Sequence, residues 1–272
     1  MRVVTWNVNS FTWRRNKAKI ALLGQLEWDV ALLQEVSARS FTEFVEGLGA
    51  GGVCALDLVG KTEHDVPLAA VVLVRRGDVR TPVALDGIPR SERFVAADVT
   101  AAGTEVRVAS WHAPNAAGDG GQAKMQGYRR VAGWASEQAH HATVLGADTN
   151  AWENGWAQVE PDPEHDHYVE HAFHYEPTSH GLRDAFRDVL AKDPARRRAL
   201  EQRRPGASLA TTYVRGGRNA PVAERMDRLF ISDQIETVEV EHILSDAFAV
   251  GSDHAIVSAE LVVREPMSTP DE

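Results

Sequence analysis

The chain of 272 residues has a single cysteine, Cys54. One thiol excludes an internal disulfide and a thiolate zinc cluster, since both need several. No apolar run approaches the roughly 20 residues that span a bilayer. The stretch MRVVTWNVNSF has no apolar core behind a basic start, so it does not read as a secretory signal. Positive charge is also short: 29 Lys and Arg face 39 Asp and Glu, a net charge of −10. That argues against a protein that coats polyanions with its whole surface. A local basic strip could still hold phosphates, and acids could gather around a cation. Internal repeats, low-complexity tracts and linker-like stretches are lacking too. These absences lead us to expect a cytoplasmic protein without membrane insertion. The length suits one domain with a sizeable core, running 1–264, with 265–272 a disordered tail.

What is present is an alternation of strand-like and helix-like stretches. RVVTWNV, DVALLQEV, VCALDLV, LAAVVLVRR, RFVAADVTA, EVRVASWHA and ATVLGADTN read as strands from their β-branched or continuous apolar character. LATTYV, ERMDRLFIS, ETVEVEHIL and HAIVSAELVV read as closing strands. KAKIALLGQL, the stretch 120–141 and GLRDAFRDVLAKD have helical spacing. SFTEFVEGLGAGG reads as a helix capped by Ser40 and ended by glycines. Residues 151–180 read as irregular and 194–206 as an Arg-rich connector. The order lacks a simple βαβ rhythm, which implies an α/β protein with mixed sheets flanked by helices.

Several apolar strands end in residues that bind metals or move protons. Asn7 follows VVTW, Glu35 closes ALLQE and His112 closes VRVASWH. Asp148 and Asn150 close VLGADTN, Asp227 sits in RMDRLFIS, and Asp253 with His254 opens the last strand. A buried carboxylate beside an apolar strand is costly unless paired or ligated. Several such costs at separate strand ends point to one convergent site. Each position also has a plain reading. Strand-end Asn and Asp form turns, and Asp227 could simply pair with its neighbours Arg225 and Arg228.

TWNVNSF, LLQEV, HAPNAAG, LGADTN, RMDRLFIS and GSDHAIV, taken in order, resemble the motifs of the endonuclease/exonuclease/phosphatase superfamily. HAPNAAG and GLRDAFRDVL are nearest its exonuclease III-like branch. The resemblance implies a four-layer sandwich of two packed mixed β-sheets flanked by helices, as in deoxyribonuclease I. It also implies metal-dependent phosphoester cleavage with Mg²⁺ or Mn²⁺. Glu35 would be the main metal ligand, helped by Asn7 and Asp253. Asp148 would orient or deprotonate the attacking water, and Asn150 would hold a phosphate oxygen. His254 would face the scissile phosphate with Asp227 behind it. His112 falls where exonuclease III relatives often carry tyrosine, and Asn115 matches an asparagine of that branch. Glu224 stands where abasic-site enzymes commonly have an aromatic. Mg²⁺ takes one or two carboxylates and a substrate phosphate rather than a full protein cage, so these residue types suit that chemistry.

Weaker features surround this set. Residues 190–206 hold six positive side chains, Arg197 and Arg198 among them, against Asp193 and Glu201. Such a strip could follow a phosphate backbone or be a solvated connector. Trp152 and Trp156 could stack on a base or pack beneath a loop. His167, His171 and His174 would share a face if helical, so zinc is conceivable, although a soluble insertion is the plainer reading. Lys124 and Tyr128, one helical turn apart, match a Lys-and-aromatic pattern of the exonuclease III-like branch, although ordinary helix surface and core is the plainer reading. The expected partner is a nucleic acid, DNA first, cut by an endonuclease or 3′ exonuclease. The alternatives are a smaller nucleotide, lipid or sugar phosphate, and a non-catalytic binding module of the same fold.

Overall fold

The computed structural model describes residues 1–60, 67–138, 140–151, 167–205, 207–215 and 222–264. The strands in chain order are β1 (Arg2–Asn7), β2 (Val30–Val36), β3 (Gly51–Cys54), β4 (Ala69–Val74), β5 (Gly77–Val83), β6 (Phe94–Ala101) and β7 (Thr104–His112). They continue as β8 (Thr143–Asp148), β9 (Leu182–Asp184), β10 (Tyr213–Arg215), β11 (Val222–Glu224), β12 (Asp227–Ser232), β13 (Ile235–Ile243) and β14 (Ile256–Val263). The helices are α1 (Asn16–Gln25), α2 (Ala38–Leu48), α3 (Leu56–Val59), α4 (Ala116–Glu137), α5 (His167–Tyr175), α6 (Ala185–Lys192), α7 (Pro194–Arg203) and α8 (Ser245–Ala249). Among the described residues no helix is long and apolar enough to cross a membrane.

Two six-stranded mixed sheets pack face to face, with spatial orders β13-β14-β1-β2-β4-β3 and β5-β6-β7-β8-β12-β9. Each contains one parallel pair at its centre, β1 with β2 and β7 with β8, and is otherwise antiparallel. A parallel pair needs a crossover, which α1 supplies in one sheet and α4 in the other. The expected four-layer sandwich is therefore what the chain forms.

Side-chain alternation assigns the faces. On β8, Val144 joins the core between the sheets, whereas Leu145 and Ala147 join the cluster under α4 and α5. That outer cluster is an edge-to-face aromatic stack. Trp111 lies 4.9 Å from Tyr128, Tyr128 5.3 Å from Phe173, and Phe173 5.2 Å from Phe230. Alternation then points Asp148 and Asp227 toward the seam between the sheets. At the middle of the seam, a Cβ on Gly146 would lie 2.8 Å from the Cβ atoms of Leu32 and Thr5. Only glycine lets the sheets approach this closely.

The seam also holds a buried polar clasp. Gln34 Nε2 donates to Thr5 Oγ1 at 3.0 Å and Ser110 Oγ at 3.0 Å, and lies 3.1 Å from the Leu32 carbonyl. Ser110 Oγ donates to the Leu33 carbonyl at 2.8 Å. A satisfied polar group of this kind fixes how one sheet sits on the other.

Several local expectations need correction. VCALDLV is a strand only as far as Cys54, which pairs with Val71 of β4. The chain turns into α3 instead. The cap of α2 is Ser37, whose side chain accepts from Ser40 N, and not Ser40. The Arg-rich connector is helix α7. Pro194 stands in its first turn, Asp193 caps Arg196 N, and Ala, Arg, Leu, Glu and Gln all favour helix. GLRDAFRDVLAKD begins as β9, with Asp184 capping α6. Residues 167–175 are helical rather than irregular. The 265–272 tail, Trp152 and Trp156 lie outside the described residues.

Candidate active site

The parallel pairs bring the C-terminal ends of β1, β2, β7 and β8 to one edge of the sandwich. β12 and β14 run antiparallel to their neighbours, so their starts arrive at the same edge. Asn7, Glu35, His112, Asp148, Asp227 and His254 consequently meet, although Asn7 and His254 are far apart in sequence. In open α/β sheets this edge is where ligands collect.

Asp227 and His254 form the tightest contact. His254 Nδ1 lies 2.9 and 3.1 Å from the two Asp227 carboxylate oxygens. The other ring nitrogen, Nε2, faces Asp148 Oδ2 at 3.8 Å. Burial works against a charged imidazole, yet Asp227 and Asp148 outweigh it and hold His254 well above its ordinary pKa. Asp227 does not pair with Arg225 and Arg228. Both arginines reach Asp184, at 2.6 and 3.5 Å, and alternation along β12 sends Arg228 away from the seam. Thr212 Oγ1 accepts from Met226 N and Asp227 N, which anchors the start of the strand.

Asp148 accepts from Asn7 Nδ2 at 2.8 Å and Asn150 N at 3.0 Å. Burial would raise its pKa, but His254, His112 and these hydrogen bonds bring it below the ordinary value. It is a carboxylate at neutral pH. Glu35 is shifted the other way, upward, by burial first and then by Asp148 and Asp253. Its backbone is unusual as well, with φ of +56° at a register shift in the β2–β4 ladder between Leu33 and Val36. Leu32 and Gln34 face the seam, so regular alternation would turn Glu35 to the outer face. The bulge and the left-handed residue re-aim it, at a local cost of about 1–3 kcal/mol. Its Oε1 lies 3.9 Å from His112 Nε2.

His112 and Asn150 form a second pair. Asn150 Nδ2 donates to the Ala113 carbonyl at 2.9 Å, which fixes the orientation of the amide, and lies 3.1 Å from His112 Nε2. His112 therefore accepts at Nε2 and is neutral. Burial, helped by Arg93, pushes its pKa down to about 3 despite the nearby Asp148. Both amide protons of Asn150 are thus engaged. Holding a phosphate oxygen, the role the resemblance implies for Asn150, would exchange one of these bonds for a new one.

Asp253 completes the set through Asn9, whose Nδ2 donates to Asp253 Oδ1 at 2.8 Å. Asn9 N donates to Asn7 Oδ1 at 3.0 Å, leaving that oxygen a further lone pair. Ser252 Oγ donates to the Asn7 carbonyl at 2.7 Å and accepts from His254 N at 3.0 Å. Among the described residues no lysine or arginine forms an ion pair with Glu35, Asp148 or Asp253. Buried Lys19, which feels the charges of Glu35 and Asp253, instead donates to the Asn9 carbonyl and Thr12 Oγ1. Three acids without a lysine or arginine partner, Glu35 among them pushed toward its neutral form, are a donor set that a hard divalent ion fits. Ligand atoms of Asp148, Asp227 and His254 also lie within 4.8 Å of one another. The Asp227–His254 hydrogen bond already accounts for that closeness.

Asn115 is exposed just before α4. Arg197 pairs with Glu201 at 2.9 Å on exposed α7, and Arg198 is exposed there too. His171 stacks on Tyr175, whereas His174 Nε2 meets Tyr128 OH at 3.1 Å, so these two histidines serve different partners. Lys124 and Tyr128 prove more than helix surface and core. Lys124 is buried, donates to the Asn150 carbonyl at 2.8 Å and pairs with buried Glu170. Tyr128 OH donates to the Thr149 carbonyl at 2.7 Å. Together they hold the loop that carries Asn150.

Solved structures share this architecture. D. rerio TDP2 in complex with a single strand DNA product has a TM-score of 0.67 at 14% identity, over 97% of this chain and 99% of that one. An AP endonuclease from Archaeoglobus fulgidus has 0.66 at 16%, over 97% and 100%. The human Nocturnin catalytic domain with bound sulfate has 0.62 at 16%, over 97% and 93%. At these identities the likeness is one of fold. No curated protein matches the sequence. The profile of the Endonuclease/Exonuclease/phosphatase family, however, runs from residue 4 to residue 254, taking in every assigned position from Asn7 to His254, and the chain belongs to that family of phosphoester hydrolases.

Proposed function

We propose that the chain is a divalent-metal-dependent phosphodiesterase acting on nucleic acid, DNA first, as an endonuclease or 3′ exonuclease. The observation that carries this reading is the meeting of Glu35, Asp148 and Asp253 with the Asp227–His254 pair at one edge. Glu35 and Asp253, with the free lone pair of Asn7 Oδ1, would hold Mg²⁺ or Mn²⁺. An ion there polarises a phosphoryl oxygen and offsets charge in the transition state. Asp227 fixes the tautomer and orientation of His254, whose Nε2–H is then available to a phosphate oxygen. Asp148 is ionised and held by Asn7 and Asn150, so it can align a water and accept its proton. Asn150 and His112 form the neutral wall beside it, and one Asn150 N–H can exchange His112 for a bound phosphate oxygen as its acceptor.

The single-strand DNA product named with D. rerio TDP2 and the AP endonuclease likeness favour nucleic acid over a smaller ester. Glu224 does not oppose this. Its carboxylate is buried and accepts from Ser208 Oγ at 2.8 Å, so it does not face an incoming phosphate. The test is a panel with Mg²⁺: supercoiled plasmid, abasic duplex, single-stranded DNA, RNA and small phosphate esters. Cleavage of a nucleic acid that stops in EDTA is the expected result. Full activity in EDTA overturns the metal assignment, and cleavage of small esters alone overturns the polymer substrate.

A further inference from the structure

The turn after β1, Ser10–Arg15, carries Phe11 at 76% exposure, and α8 carries Phe248 at 43%. Among the described residues these are the two aromatics in the set of exposed large hydrophobics. They stand on segments bonded to each other. Thr12 Oγ1 donates to the Gly251 carbonyl at 3.0 Å, Arg15 reaches the Ala249 carbonyl at 3.4 Å, and the Arg15 side chain covers Gly251. The turn is further fixed by Lys19, which donates to the Asn9 carbonyl and Thr12 Oγ1. It reaches the catalytic edge directly, because Asn9 Nδ2 holds Asp253. Arg14, Arg15 and Lys17 are exposed beside Phe11, and no acid occurs between Asn7 and Glu27. In a chain with a net charge of −10 such a run is unusual. Asp246 of α8 is the exposed acid on the facing segment.

An isolated exposed phenylalanine needs no explanation. Two of them on hydrogen-bonded segments, with cations alongside and Asn9 tying one segment to Asp253 at the catalytic edge, form an arrangement suited to an unpaired base and its phosphates. We infer that Phe11 and Phe248, with Arg14 and Arg15, form a stacking platform for unpaired nucleotides of the strand being cut. This rests on the nucleic-acid reading of the site. The chemistry favours single-stranded or frayed substrate, because bases within an intact duplex already stack on one another.

The experiment compares two strands of equal phosphate count, an ordinary DNA oligonucleotide and one made of base-less spacers, in EDTA by fluorescence anisotropy. The wild type binds the base-bearing strand about tenfold more tightly, within the range for one stacked base. Phe11→Ala removes most of that ratio and leaves spacer binding unchanged. Phe248→Ala reduces the ratio, and Arg14→Glu with Arg15→Glu weakens both strands. An unaltered ratio in Phe11→Ala, or no ratio in the wild type, overturns the platform. Hydrolysis of a small phosphodiester with Mg²⁺ separates the two ideas. Phe11→Ala keeps the wild-type rate if the platform is right. No hydrolysis by the wild type of either that ester or DNA overturns the proposed function itself.

Discussion

Asp184 offers a sharp test of how the site is held. It accepts from Phe186 N and Arg187 N as the cap of α6, and it is the partner of Arg225 and Arg228, each with a side chain 1% exposed. Burial acts to raise its pKa, but Arg225, Arg228 and Arg187 outweigh burial and hold it well below the ordinary carboxylate range. Asp184→Ala removes the cap, worth about 1 kcal/mol, and takes from two buried guanidinium groups the carboxylate they share, worth about 3–5 kcal/mol. The expected loss is about 4–6 kcal/mol. Asp184→Asn keeps a competent cap and should lose about 3–5 kcal/mol from the charge alone. Urea unfolding at pH 7 reads both as a lower midpoint with an unchanged slope. A depressed folded-state pKa gives stability that is whole above the unfolded value, about 3.9, and fades as the pH falls through the folded one. The wild type should thus show a steeper acid limb than Asp184→Asn. Losses under about 1 kcal/mol in both variants would refute the claim that Asp184, and not Asp227, neutralises these arginines.

Three further outcomes are expected. His254→Ala and Asp148→Asn each lower turnover roughly 10²–10⁴-fold with unchanged circular dichroism, and losses under tenfold in both would remove them from the chemistry. Mg²⁺ raises the melting temperature of the wild type, by about 2.7 kcal/mol of stabilisation at one hundred times its Kd, and Glu35→Gln abolishes most of the gain; an equal gain in both proteins places the ion elsewhere. Reversing Arg197 and Arg198 to glutamate flattens the slope of log K against log salt for DNA by about one to two, whereas an unchanged slope leaves α7 as a solvated helix.

The polar residues at strand ends were legible because each broke an apolar pattern, and their order along the chain carried the fold. The bonds that support them were not legible. Gln34 reads as one more polar residue beside Glu35, and only the meeting of the two sheets makes it a clasp. Thr212 breaks no pattern, and Asn9 sits inside TWNVNSF with nothing in the sequence to pair it with Asp253. Lys124 looks like surface until α5 covers it and Glu170 arrives. Glu35 shows the limit most clearly: strand alternation gives its side chain the wrong direction, and a bulge that no local pattern announces corrects it. The segment 194–206 was misread for a related reason, because charge drew attention away from good helix formers.

β14, which follows directly on His254, inserts between β13 and β1 rather than adding at an edge. The histidine and its neighbour Asp253 therefore reach their places only when β14 is seated between these two strands. Losing β14 would therefore cost the sheet two ladders at once, together with the imidazole and carboxylate that open the strand.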